Sequence, residues 1–192
     1  MQLSEYFSTQ QLRELKIPKY KRTLKKCDDF ILCVNSGDAG YIGGGEHPAL
    51  NYTLYLYAIK GKSITHIIKK GDGPYGTPFE YETIIHDNQE GKLIDISPYL
   101  NSYGVFEAIE DFYYIGFNTL DKKVKWEGRL IVNGESSLII ENPNSYFVCL
   151  NGEVSINDKK FKRTDYASTI VGKEYQINIK ENGALGLFTK LN

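Results

Sequence analysis

Histidine is scarce in this sequence, with three in 192 residues, at positions 47, 66 and 86. An imidazole-based metal centre or general base therefore has few places to sit. Cysteine is equally rare: Cys27, Cys33 and Cys149 form an odd set without CxxC spacing. The simplest expectation is three reduced, buried thiols; a Cys27–Cys33 disulfide is the alternative. No apolar run approaches the ~20 residues of a membrane span, and the first residues lack the apolar core of a secretory signal, so a soluble, cytoplasmic protein is expected. Neither sign of charge dominates, with 23 Lys and Arg against 24 Asp and Glu. That balance gives no electrostatic case for nucleic acid or an anionic membrane as partner. Gly43-Gly44-Gly45 is not followed by the Gly-Lys-Ser/Thr of a phosphate loop, and no Gly-x-Ser-x-Gly or Cys–His pairing announces a nucleophile.

What the chain has in quantity is tyrosine (15), phenylalanine (9) and glycine (18). Aromatic strands separated by tight turns, in an all-β protein, are the natural reading. The length suits one generous domain or two small ones. Ser8 can cap a short helix that Pro18 stops, with Leu12 and Leu15 as its apolar stripe. The basic run Lys19-Tyr20-Lys21-Arg22-Thr23-Leu24-Lys25-Lys26 reads as a solvated arm. Strands follow from residue 29. Residues 30–34 are continuously apolar, and residues 52–59 put Tyr52, Leu54, Leu56 and Ala58 on one face with Thr53, Tyr55, Tyr57 and Ile59 on the other. With neither face polar, that strand should be covered on both sides, and an uncovered face predicts a homodimer. A seam is expected near Asp121-Lys122-Lys123, giving an arm over 1–28, one β unit over 29–121 and a second over 122–192. Residues 174–180 alternate without fault as a half-buried strand, and residues 185–188 should close the sheet. Strands at 8–12-residue spacing argue for a sandwich or barrel of the jelly-roll type.

The core unit lies over residues 145–165. Tyr146 to Leu150 reads as a buried strand, Asn151-Gly152 as a two-residue turn of type I′, Val154 to Ile156 as a second strand and Asn157-Asp158 as another turn. This strand–turn–strand unit resembles the heart of a cupin, the double-stranded β-helix family. The resemblance is clearest over 139–190. A fainter copy lies over 30–119, where residues 55–62 and Gly71-Asp72 echo it and residues 105–111 resemble a closing strand. The resemblance implies a cupin-like jelly-roll barrel. Two compact repeats, or one barrel with added strands, are both open.

In metal-binding cupins, one motif pairs two His with a Glu and a second reads Pro-x-Gly-x-x-His. Here Glu46-His47 has Ala49 where the second His would stand, and Pro74-Tyr75-Gly76-Thr77-Pro78-Phe79 has Phe79 at the ligand position. No metal and no other cofactor are expected. His66, between Ile64 and Ile68 on an apparent core-facing side, is a candidate base or a satisfied core histidine. His47 is expected as an exposed loop residue. His86 beside Asp87 resembles the His–Asp dyad of cupin sugar-nucleotide epimerases, but strand neighbours point to opposite faces. Tyr55, Tyr57, His66 and Tyr114 are the candidate ligand contacts, because phenols lining a barrel suit a sugar or other flat polar ligand. The competing reading packs the same tyrosines in an intersheet or dimer layer. Three functions follow: a degenerate, non-catalytic module binding a small polar ligand; a sugar-nucleotide isomerase or epimerase with His66 as base and Tyr57 as acid; and a structural virion or assembly subunit.

Overall fold

The computed structural model describes residues 18–44, 53–68, 83–99 and 103–191. Strands dominate them, joined by one short 3-10 turn over Ser97–Tyr99. The first half carries β1 (Tyr20–Lys26), β2 (Phe30–Gly37), β3 (Ile42–Gly44), β4 (Thr53–Lys60), β5 (Ser63–Ile68), β6 (Thr83–Asn88), β7 (Leu93–Asp95), β8 (Tyr103–Ala108) and β9 (Phe112–Thr119). The second carries β10 (Lys125–Ile139), β11 (Ser145–Asn151), β12 (Val154–Ile156), β13 (Lys159–Phe161), β14 (Tyr166–Ser168) and β15 (Glu174–Leu191). The helix expected between Ser8 and Pro18, the loop holding His47 and the segment with Phe79 lie outside the described residues.

Pairing in the first half is nested: β5 with β6, β4 with β7, β3 with β8 and β2 with β9, all antiparallel. A two-stranded ribbon folded in this way and wound over itself gives two sheets, β2-β9-β4-β7 and β3-β8-β5-β6. That is the jelly-roll order. The second half repeats it with fewer, longer strands. Residues 125–132 of β10 pair with 184–191 of β15, and 134–139 pair with 174–179, so each strand serves both sheets. β11 pairs with β14 and β12 with β13, while β15 lies between β10 and both β11 and β12. Residues 125–139 are thus one bent strand. Its register shift between Val132 and Gly134 is a bulge, the usual device for turning a strand from one sheet into the next.

Three apolar clusters follow from this layout. One fills the second barrel, around Phe147, Cys149, Ile177 and Leu185. A smaller one lies in the first, around Ala58, Ala108, Phe112 and Tyr114. The largest joins the halves: Phe30, Leu54, Tyr55, Tyr57 and Phe117 of the first pack on Trp126, Tyr146, Val148 and Phe188 of the second. Its centre is a column of rings, with Phe30 on Phe117 at 4.6 Å and Phe117 on Phe188 at 4.0 Å and 9°. Each such stacked pair contributes about 0.5–1.5 kcal/mol beyond the area it buries. Polar clasps close the seam at its edges. Asp29 accepts from the Tyr146 hydroxyl and from Lys190 Nζ, Lys25 Nζ donates to the Thr164 carbonyl at 2.7 Å, and Arg163 lies 4.9 Å over the Tyr113 ring.

Three local readings change. The basic run expected as an arm is β1, paired along its length with β2 and mostly exposed. In β4 a register shift between Thr53 and Tyr55 breaks the alternation, so Leu54 and Tyr55 enter the same cluster. The third concerns Asn151-Gly152, which is not a I′ hairpin. Only Gly152 has positive φ, at +63°, and β11 and β12 do not pair with each other: β11 lies on residues 184–189 of β15 and β12 on residues 177–179, either side of its irregularity. The two-residue turn with both φ positive is Asn157-Asp158, at +47° and +65°, between β12 and β13. Gly152 is instead the crossover between sheets, pressed onto the β15 bulge, where a Cβ would stand 2.8 Å from the Asn182 carbonyl oxygen. Gly61, at φ +81°, makes the same crossover between β4 and β5, against the Asp111 carbonyl.

Candidate functional site

The interiors of the two barrels differ in chemistry. The described interior of the second is apolar; among the described residues of that half, Ser145 is buried and paired with Thr189, and Trp126 Nε1 is buried without a partner in the seam rather than in the barrel. In the first, Gly61 turns the chain out of β4 so that β5 begins with Ser63 facing inward. Ser63 and Thr65 are buried while Ile64 between them is half-exposed. The inward parity of β5 is therefore that of its hydroxyls, opposite to the one its isoleucines suggest. Ser63 stands in register with Asn88 of β6, whose Nδ2 donates to Ser63 Oγ at 2.8 Å and to Thr65 Oγ1 at 2.7 Å.

From the facing sheet, Tyr114 of β9 enters the same space. Its ring packs against Phe112 at 5.2 Å and Phe106 at 5.4 Å, and its hydroxyl approaches Ser63 without a hydrogen bond of good geometry. Burial pushes the Tyr114 phenol up to about 12, so it remains a neutral donor and acceptor near pH 7. Both the Tyr114 hydroxyl and Asn88 Oδ1 are buried without a partner. Two uncompensated polar atoms against one network are unusual, because each costs about 1–3 kcal/mol when left unmade. Further along, Cys33 Sγ accepts from Arg22 Nε at 2.9 Å and donates to Asn35 Oδ1 at 3.3 Å.

Among the described residues, no three His, Cys, Asp or Glu side chains converge on a point. The described donors around Ser63 are neutral hydroxyls and an amide. They do not fit the imidazole and carboxylate set that holds iron, manganese, nickel or zinc, and no metal chemistry is assigned to them.

The four ligand candidates fall in different places. Tyr55 and Tyr57 are buried in the layer between the halves, where the Tyr55 hydroxyl donates to the Trp126 carbonyl at 3.0 Å. Burial raises both phenols. Tyr57 lies on the face of its sheet turned away from β5, the strand that carries His66; the side chain of His66 lies outside the described residues, as does that of His86. Tyr114 alone stands with the polar network. The two faces of β4 that motivated a dimer are covered within the chain, one by the second half and one by the first barrel's own interior. Sequence reasoning passed over Ser63, Thr65 and Asn88. The one signal was the alternation Ser63-Ile64-Thr65 at the start of β5, which by itself fits either parity.

No protein-family model matches the chain, and no curated protein matches it. Solved structures do. HutD from Pseudomonas fluorescens SBW25 superposes with a TM-score of 0.55 at 11% identity, over 92% of this chain and 100% of that one. YhaK from Escherichia coli gives 0.58 at 7% identity, over 90% and 94%. The conserved protein of unknown function PA5104 from Pseudomonas aeruginosa PAO1 gives 0.53 at 8% identity, over 90% and 89%. At such identities the likeness is one of fold alone, and it agrees with the nested, jelly-roll strand order.

Proposed function

We propose that the chain is a non-catalytic, cupin-like binding module: its first barrel holds a small polar ligand, and its second serves as the packing partner that keeps the first in shape. In this reading the two units are residues 29–121 and 122–192, meeting at the seam near Asp121-Lys122-Lys123 between β9 and β10. One observation carries the reading. Of two barrels with the same strand order, one is filled with apolar side chains and the other keeps a buried polar network with unpaired atoms. A barrel needed only for support gains stability by filling its interior. Retained polar groups with unmet hydrogen-bonding capacity mark the unit that trades stability for recognition.

The test is thermal denaturation of the full chain against monosaccharides, polyols, hydroxy-amides and the corresponding carboxylates. Some members should raise the melting temperature, and Asn88→Leu, which fills the first interior, should abolish the rise. If no member raises it, the binding reading fails. The apolar second barrel then favours the alternative of a structural or assembly subunit. A sugar isomerase or epimerase is the weaker alternative, since Tyr57, its proposed acid, faces away from the first barrel's interior.

A further inference from the structure

Resting on that reading, we infer that the ligand is uncharged and is recognised by two buried atoms left without a partner beside the Ser63 network, the Tyr114 hydroxyl and Asn88 Oδ1. The amide of Asn88 is fixed from behind, because its Nδ2 is committed to Ser63 and Thr65, at 2.8 and 2.7 Å. Its Oδ1 is therefore presented as an oriented acceptor. Tyr114 is fixed by Phe106 and Phe112, and its hydroxyl can donate or accept. Together they ask for a molecule with an O–H or N–H donor for Asn88 and a second hydroxyl or carbonyl for Tyr114. A polyol, a neutral sugar or a hydroxy-amide meets that demand.

Charge is what the network does not serve. Ser63, Thr65, Asn88 and Tyr114 supply no formal charge, and a carboxylate or ammonium brought among them would be desolvated with no counter-ion among these four residues. The aromatic faces of Phe106 and Phe112 suit the C–H surface of a small polyol or sugar as they suit Tyr114 itself. A single trapped water could also satisfy both atoms, and the experiment separates that case.

Ligand-observed NMR on the full chain compares matched pairs: glycolamide with glycolate, glycerol with glycerate, erythritol with erythronate, and glucose with gluconate. In each pair with measurable binding, the neutral member should bind more tightly. Tyr114→Phe should weaken it by about five- to tenfold, the value of one hydrogen bond, without lowering the melting temperature. A carboxylate bound more tightly than its neutral partner overturns the inference and leaves the binding reading standing. Unchanged neutral affinity in Tyr114→Phe does the same. If the wild type binds no member of either series, the two atoms serve a trapped water only, and both readings fall.

Discussion

Tyr114→Phe should make the ligand-free protein more stable. The substitution keeps the ring and its contacts with Phe106 and Phe112, and it deletes one oxygen that is buried without a hydrogen-bond partner. In the unfolded chain that oxygen is hydrated, so folding pays its desolvation without a return. Such a group costs about 1–3 kcal/mol, and because its approach to Ser63 recovers part of this, a gain of about 1 kcal/mol is the working value. For a chain of this size that corresponds to about 2–4 °C in melting temperature. Tyr55→Phe is the control. It removes the same atom from an equally buried ring, but there the hydroxyl donates to the Trp126 carbonyl at 3.0 Å. That variant should lose about 1 kcal/mol. Calorimetry or urea unfolding of both, at matched protein concentration, reads the two signs directly. A loss of stability in Tyr114→Phe as large as that in Tyr55→Phe would show that the Tyr114 hydroxyl is paired, and the reasoning for the site would collapse.

Other outcomes follow from the rest of the structure. Gly152→Val places a β-branched side chain at positive φ and against the β15 bulge, so it should cost about 1–3 kcal/mol from backbone strain alone, read as a lower melting temperature; an unchanged value would mean that the crossover relaxes freely. The hydrogen bonds from Tyr146 and Lys190 hold the Asp29 carboxyl below its ordinary value. A depressed carboxylate stabilises the fold above its unfolded pKa and loses that contribution as pH falls through the folded one. Asp29→Asn should therefore cost about 1 kcal/mol at neutral pH, discounted for partial exposure, and the difference from wild type should shrink below about pH 4. A difference that is constant with pH would contradict this. All three cysteines are unpaired and buried, and burial pushes Cys27 and Cys149 up to about 11. Reaction with a disulfide reagent should thus proceed only as fast as the protein opens, and labelling as rapid as in denaturant would refute the burial.

The alternating and continuous apolar strands were legible because burial writes a period into them. Residues 174–180 alternate in sequence and in burial alike, with Tyr175, Ile177 and Ile179 inside. The echo of residues 145–165 in residues 55–62 was legible for the same kind of reason: Gly61 and Gly152 answer the same demand, a left-handed residue where the chain crosses between sheets. What stayed hidden depends on pairing partners far apart in sequence. Asn151-Gly152 looks like a hairpin turn until β11 is seen to pair with β14 and β15 rather than with β12. Leu54 and Tyr55 share a cluster only because of a local bulge. The site was hidden for a different reason. In the alternation of Ser63, Ile64 and Thr65, hydrophobicity argues for the isoleucine inside, and only the register with Asn88 reverses it.

The central claim is that the polar interior of the first barrel, rather than the aromatic seam or the second barrel, receives the ligand. The most direct measurement is an amide chemical-shift titration of the full chain with whichever neutral compound in the matched pairs binds most tightly. The largest shifts should fall on β5, β6 and β9, at Ser63, Thr65, Asn88 and Tyr114, while β11, β12 and β13 remain unperturbed. Shifts centred on the second barrel, or on Tyr55, Tyr57 and Trp126 in the seam, would contradict the account.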